Sequence, residues 1–497
     1  MRILFKGFVC DGISEPRRGC VLIDGERIVA VEPEILGSSA ADKTYSFRNE
    51  IIAPGFIDVH GHSELSLPSA PEAFSKRSQG FTGEIIGNCG LSAFPITARN
   101  VDHIRELYAR YPIGIRWRSL PEYHSELANR KAKLRVWSLC GHNTLRAAVA
   151  GYERETLTAA DLAAMRELLD GAMRDGALGL SSGLLYVPGC FSTPGEIVTL
   201  MRVVAKYDGV YATHLRSEGD QLLESLTETL ECAVEAKLKR VQISHFKTAR
   251  EENWSKLDAA LELLERYRRK GVDVHIDRYP YVESQTMLSV ILPPPFDRTG
   301  DGEITRRLTD AELRRQLTEK LRDKMTASAW ARLRLTGAKS AAHRRYVGKH
   351  FDEIPRDPAE LCIEILQDDA NSATVGAAGM SEDNMRRILM LDFCMAGSDG
   401  NALGPEESAH PRAFGTAARF VRILLDSGVS IGKTVRRLTA LPAEFFHLKQ
   451  LGRILPGNYA DLTVFDPEQI DSDADFVRPN RPASGITMTV LAGEISV

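Results

Sequence analysis

Short apolar runs that end in a single ionisable residue recur along the chain, and each is followed by loop chemistry. Phe56-Ile57-Asp58-Val59 leads into His60-Gly61-His62, and Thr82-Gly83-Glu84-Ile85-Ile86 leads into Gly87-Asn88-Cys89-Gly90. Val210-Tyr211-Ala212-Thr213 ends in His214, Val241-Gln242-Ile243-Ser244 in His245, and Phe393-Cys394-Met395-Ala396 in Gly397-Ser398-Asp399. Runs of β-prone residues bounded by turn residues read as strands. The segments between them carry helical patterns, for example Asp161 to Asp175 and the Leu-, Glu-, Lys- and Arg-rich stretch Asn253 to Lys270. Strand, polar tip and helix in repetition predict an α/β protein with a (β/α)8 TIM-type barrel over residues 54–450, with its chemistry gathered at the C-terminal strand ends.

The two ends of the chain have a different texture. Residues 1–53 hold short β-like pieces, Ile3 to Val9 and Gly19 to Val31, with Asp24-Gly25 as a hairpin turn. Residues 451–497 hold similar ones, Tyr459 to Asp466 and Ile486 to Ile495. Domain termini commonly meet, so both segments are expected to build one small β-sandwich beside the barrel. A further segment, about 286–345, interrupts the barrel pattern with Pro293-Pro294-Pro295, a Gly-containing turn and a charged helix from Asp310 to Lys324. At a strand tip it would form a lid over the active face; a solvated surface hairpin is the plainer alternative.

Composition narrows the functional class. The chain has 497 residues, enough for a large core, and a net charge of −4 from 63 Lys+Arg against 67 Asp+Glu. That balance offers no basic field for nucleic acid or an acidic membrane. No stretch approaches the roughly 20 apolar residues of a membrane span, and the apolar run near Met1 is too short for a signal peptide. The 8 cysteines show no CxxC spacing, which is expected of small buried hydrophobes in a reducing, cytoplasmic compartment. Cys89 stands apart, at a predicted strand tip beside Gly90.

Side chains alternate along a strand, so His60 and His62 point the same way, as two imidazoles on one divalent metal must. A surface pair without metal would explain that motif alone. It does not explain Cys89, His214, His245 and Asp399 at the tips of four further strands, and together these residues point to a metal centre.

The residues also carry a family resemblance. Ala53-Pro54-Gly55 running into His62, Gly87-Asn88-Cys89-Gly90-Leu91-Ser92, Gly141-His142-Asn143-Thr144-Leu145-Arg146 and Gly176 to Leu184 resemble the amidohydrolase superfamily, and within it the D-aminoacylase group. Thr213-His214-Leu215-Arg216-Ser217-Glu218, Ser244-His245-Phe246-Lys247, Tyr279-Pro280-Tyr281, Gly397 to Gly400, His410-Pro411-Arg412 and Gly452 to Leu462 extend the likeness over nearly the whole chain. The cysteine in Gly-Asn-Cys-Gly is the specific mark, because many relatives place a carboxylated lysine on the metals instead.

The resemblance implies hydrolysis of N-acyl-D-amino acids, with a small-molecule substrate, no nucleic acid or membrane partner, and no particular oligomeric state. It implies one zinc held tightly by Cys89, His214 and His245, and a weaker second site framed by His60, His62 and Asp399. Asp399 would act as general base and then general acid around a metal-activated water. Lys247, Tyr186 and Tyr279 would hold the substrate α-carboxylate, with Tyr281 as the alternative to Tyr279. Members of the resembled group that select an acidic side chain place an Arg shortly after the Tyr-Pro-Tyr region; Leu288 to Pro295 contains no basic residue, so the resemblance implies a preference for apolar side chains, with Arg298 folding back as the alternative. A cyclic amide hydrolase of the dihydroorotase or hydantoinase kind, a D-peptidase, or a non-catalytic binding protein on the same scaffold are the alternatives.

Overall fold

The computed structural model describes residues 1–32, 41–107, 111, 113–407 and 410–496. Its centre is built from two arcs of parallel strands. One arc has six strands, in the spatial order Cys394–Ala396, Asp273–Arg278, Arg240–Ile243, Val210–His214, Gly179–Gly183 and Cys140–Gly141. The other has three, Phe56–Asp58, Phe81–Ile86 and Arg135–Ser138. Their edges meet at two seams. Arg135–Ser138 runs on into Cys140–Gly141, with Leu139 N donating to Ile86 O at 2.9 Å. Opposite, Val59 N donates to Ala396 O at 3.3 Å and Gly61 bridges Gly400.

These strands are covered on both faces, which is why they read as near-continuous runs of apolar and small residues rather than as alternation. Every residue of Phe81–Ile86, Gly179–Gly183 and Val210–His214 is buried. Ile57, Val59, Ile85, Leu139, Val210, Ala212 and Met395 pack with Leu441, Phe445, Phe446 and Leu448 into one core cluster. The outward strand residues pack on the surrounding helices, whose starts are chemically marked. Thr158 and Asp161 form a reciprocal capping box at Ala159–Arg174. Thr193 caps Pro194–Lys206, which begins with the proline that a first helical position tolerates.

The terminal segments share one seven-stranded mixed sheet, ordered Glu494–Ser496, Ile486–Leu491, Leu462–Phe465, Lys43–Pro54, Arg2–Val9, Arg17–Asp24 and Arg27–Glu32. The expected sandwich is thus a single continuous sheet that curls on itself. Ile28 N reaches Asn458 O at 2.9 Å and Gly457 N reaches Ile28 O at 2.8 Å, so its edge strand meets the approach to Leu462–Phe465. Ile3, Phe5, Val21, Ile23, Leu462 and Val490 fill its interior.

A third body is inserted after Tyr281. Glu283–Met287, Thr374–Ala378 and Leu333–Gly337 form an antiparallel sheet. Asp301–Arg307, Ala311–Lys324 and Pro358–Asp369 are its main helices. Leu288, Leu292, Trp330, Phe351, Leu361 and Leu366 give it a core of its own. Asp310 caps the charged helix by accepting from Glu312 N and Leu313 N. Among the described residues no helix is long and apolar enough to cross a membrane.

Candidate metal centre and active site

Three of the strand tips turn through a left-handed residue that is not glycine: Cys89 at φ 52°, His245 at φ 35° and Asp399 at φ 49°. Such conformations cost on the order of 1–3 kcal/mol each and persist only where the surroundings over-determine them. Here the backbone is pinned beside each turn. Asp399 N donates to His60 O at 2.7 Å, His245 N to the Asp277 carboxylate at 2.8 Å, and Gly90 N to Ser181 Oγ at 3.0 Å. Between the two histidines, a Cβ at Gly61 would lie 1.5 Å from Glu84 Oε1, so only glycine fits there.

The turns bring the six candidate ligands together. Ligand atoms of His60, Cys89, His245 and Asp399 lie within 4.8 Å of one another. Cys89 Sγ is 3.3 Å from His60 Nε2 and 3.4 Å from His245 Nε2. Asp399 Oδ1 is 3.6 Å from His60 Nε2 and 3.1 Å from His62 Nε2. The His214 ring stands 4.5 Å from that of His245.

The donor set fits a divalent metal of the zinc type, which takes thiolate, imidazole and carboxylate. Both ring nitrogens of His214 are buried with no hydrogen-bond partner among the described residues, which is costly unless something accepts their coordination. Burial would push the Cys89 thiol up, but His60 and His245 hold it well below its usual value, in the thiolate form that binds metal. His60 turns Nδ1 to Asp277 at 3.0 Å, which leaves the Nε2 lone pair facing the cluster.

On the far side of His245, Glu218 Oε1 lies 2.8 Å from His245 Nδ1 and 2.5 Å from Lys247 Nζ. Glu218 forms a second potential ligand group with His214 and His245, but the Lys247 ammonium already supplies the cation there. Beyond Lys247 lies a buried cationic cluster around Tyr279. Burial raises the Tyr279 phenol, yet Lys247, Arg278 and Arg412 together pull it below its usual value. The Tyr279 hydroxyl, Arg278 Nε and Nη1, and Arg412 Nε are buried without a hydrogen-bond partner among the described residues. Arg412 stacks 4.7 Å from the Tyr279 ring and pairs with Asp399 Oδ2 at 2.8 Å. Burial would raise the Asp399 carboxyl, but Arg412 and His62 hold it well below the carboxylate range.

Tyr281 faces elsewhere, toward Arg419 and Ser472. The Tyr186 ring lies 4.9 Å from His214, and its hydroxyl meets Thr286 Oγ1 at 3.0 Å on the first strand of the insertion. His142 is not near the ligands; its Nε2 pairs with Glu196 at 2.8 Å.

Among the groups that support the site, Lys76 and Asp277 were not singled out from the sequence. Lys76, fully buried, reaches Asp58 at 2.6 Å, Ser398 Oγ at 2.8 Å and Glu84 at 3.0 Å. Asp58 in turn accepts from His60 N and Ser398 N, tying the strand of the two histidines to the strand of Asp399. Glu64 accepts from Gly87 N at 2.7 Å, below Cys89. Asp277 ends the apolar run Val274 to Ile276, the same signal that marked the other tips, and Arg412 closes the His410-Pro411-Arg412 motif. Lys76 has no such signal, since nothing local distinguishes it from a solvated lysine.

Comparison with known proteins identifies the family. Residues 319–495 match the amidohydrolase family. The chain is 31% identical over 497 residues to an N-acyl-D-glutamate deacylase of Alcaligenes xylosoxydans xylosoxydans, covering 99% of this chain and 92% of that one. It is 30% identical to a D-aminoacylase of the same organism, covering 99% and 93%. A crystal structure of an N-acyl-D-glutamate deacylase from Bordetella bronchiseptica, with zinc and a phosphonate mimic of the tetrahedral intermediate, superposes with a TM-score of 0.84 at 28% identity, covering 99% of this chain and 96% of that one. The chain belongs to the D-aminoacylase family of amidohydrolases.

Proposed function

We propose that this protein is a zinc-dependent deacylase that hydrolyses the amide bond of N-acyl-D-amino acids to a carboxylate and a free D-amino acid. The observation that carries the reading is the buried cationic cluster beside the metal ligands. Buried donors of Tyr279, Arg278 and Arg412 that have no partner among the described residues, next to Lys247, call for an anion, and an α-carboxylate within reach of the metal ligands is such an anion. The family relationship supports the D-configuration and the linear amide. The two seams between the strand arcs support a closed eight-stranded barrel, and the Tyr186–Thr286 bond supports a lid role for the insertion.

Cys89, His214 and His245 would hold the tighter zinc, with His60, His62 and Asp399 framing a weaker second position. When bound, the ion would polarise the acyl carbonyl and make water more acidic. The chain's own groups then do the following. Arg412, Lys247 and Tyr279 grip the α-carboxylate and so aim the amide at the ligand cluster. Asp399, ionised and 3.1 Å from His62, takes a proton from the attacking water and returns it to the leaving nitrogen, which must be protonated before the C–N bond breaks. A cytoplasmic location belongs to the same reading, since none of the eight cysteines forms a disulfide.

The side-chain pocket is read as apolar, because Leu288 to Pro295 brings no charge. One observation favours a second reading. Burial pushes the Cys190 thiol up, and the Arg298 charge is the first that pulls against it, which speaks for a guanidinium in the neighbourhood of the loop that carries Tyr186. In that reading Arg298 would anchor an acidic side chain. Hydrolysis of paired N-acetyl-D- and N-acetyl-L-amino acids, with hydantoin and dihydroorotate alongside, tests the proposal. Release of D-amino acid alone, with leucine or methionine ahead of glutamate, is expected. Faster turnover of N-acetyl-D-glutamate would favour Arg298, and ring opening without deacylation would overturn the deacylase reading.

A further inference from the structure

The His410-Pro411-Arg412 motif leaves one buried residue without a role in the chemistry above. His410 is 1% exposed, yet both of its ring nitrogens are used. Nδ1 accepts the backbone N–H of Arg412 at 3.1 Å, and Nε2–H donates to the backbone carbonyl of Glu283 at 3.0 Å. Those two bonds demand one neutral tautomer, proton on Nε2, and burial together with the Arg412 charge keeps the ring neutral. The ring is wedged as well, 5.6 Å from Tyr281 and 4.8 Å from Phe476, which reaches over from the terminal sheet. Arg334, from the insertion, covers Phe476 at 4.5 Å and pairs with Glu283 at 3.1 Å. Three segments far apart in sequence therefore converge on one imidazole. They are the loop that carries Arg412, the first strand of the insertion, and the connection between two terminal strands.

We propose that His410 is a positioning residue that holds Arg412 in register with the base of the insertion, one ring nitrogen securing each. Arg412 pairs with Asp399 and stacks on Tyr279, so a shift of its backbone would misplace the cation meant for the substrate carboxylate. The insertion is registered by the opposite nitrogen, so the wall facing the substrate and the carboxylate anchor share one reference point. This inference rests on the deacylase reading for its kinetic consequence, not for its structural one.

Two substitutions separate the nitrogens. His410→Asn retains an acceptor at the Nδ1 position and loses the donor to Glu283. His410→Gln retains a donor at the Nε2 position and loses the acceptor for Arg412. Amide hydrogen exchange and steady-state kinetics on N-acetyl-D-leucine are measured for both. His410→Asn should raise exchange across residues 283–287 about tenfold, as loss of one buried hydrogen bond does, with the Arg412 amide still protected and a smaller rise in KM than in His410→Gln. His410→Gln should leave 283–287 protected, expose the Arg412 amide, and raise KM about tenfold with a smaller change in kcat. Equal changes of both exchange readouts in both variants would mark a merely structural ring and overturn the proposal, as would His410→Gln with wild-type KM and Arg412 protection. If one variant fails to fold, the exchange pattern of the other decides alone. If the wild type hydrolyses no N-acyl amino acid, the deacylase reading fails, while the exchange pattern still supports or overturns the role of His410.

Discussion

Asp277→Asn is the substitution that most sharply tests how the ligand cluster is held. The Asp277 carboxylate receives three donors: His60 Nδ1–H at 3.0 Å, His245 N–H at 2.8 Å and Gln242 Nε2–H at 2.5 Å. Asparagine keeps the shape but offers one acceptor oxygen. If that oxygen stays on His245 N–H, the new amide group faces Gln242 and His60. Gln242 can turn over, because its Oε1 has no partner among the described residues and would welcome a donor. The amide then donates to His60 Nδ1, which drives the His60 proton to Nε2, where it points at Cys89 Sγ 3.3 Å away. That proton occupies the lone pair a metal would use. Loss of such an orienting carboxylate weakens metal binding roughly 10–100-fold, about 1.4–2.7 kcal/mol. Competition of the protein with a chromophoric chelator for the second, weaker zinc, the one His60 would hold, measures this directly. Stability of the metal-free form should fall by less than the zinc affinity does, since only the turned Gln242 amide is left without an acceptor. Wild-type zinc affinity in the variant would refute the tautomer argument. An affinity loss matched by an equal loss of metal-free stability would refute it too, by showing that the damage is to the fold.

Asp399→Asn should lower kcat by about 10²–10⁴-fold, as removal of a general base does, while zinc content measured by elemental analysis stays near one per chain through Cys89, His214 and His245; a normal kcat would remove Asp399 from the mechanism. Lys76→Met leaves the Asp58 and Glu84 carboxylates buried without their cation, so urea unfolding should show a loss of about 3–5 kcal/mol, and an unchanged midpoint would refute the bracing role. His103, stacked on Tyr152, has its imidazole pulled down by burial from 6.5 to about 4. The unfolded chain therefore binds the proton first, so stability is fully present above pH 6.5 and is lost as pH falls toward 4. After allowance for partial exposure this amounts to about 2 kcal/mol, and in His103→Phe that slope should vanish from pH-dependent unfolding.

Much of the site was legible because barrel chemistry sits where strands end, and strand ends are written locally. Alternation puts His60 and His62 on one side, and apolar runs ending in Cys89, His214, His245 and Asp399 announce positions rather than merely residue types. The charged helix could be read from its local sequence too, and the pairing of the chain's two ends could be expected from their shared β character.

What the sequence could not display is every relation that depends on segments meeting in space. That the terminal sheet is one curled surface follows from hydrogen bonds between residues 28 and 457–458. Lys76 is a buried brace only because Asp58, Glu84 and Ser398 converge on it from other strands. Tyr279 rather than Tyr281 faces Lys247 and Arg412, a choice made by the turn at Pro280 and by the cations that surround each ring. The amino-acid sequence by itself determined which side chains stand at the strand tips, since pleat and periodicity are properties of a few consecutive residues. The charge environment of those side chains, the tautomers their partners impose and the tie between the insertion and Arg412 were decided by tertiary structure, because electrostatic and hydrogen-bond energies depend on distance in space and not on separation along the chain.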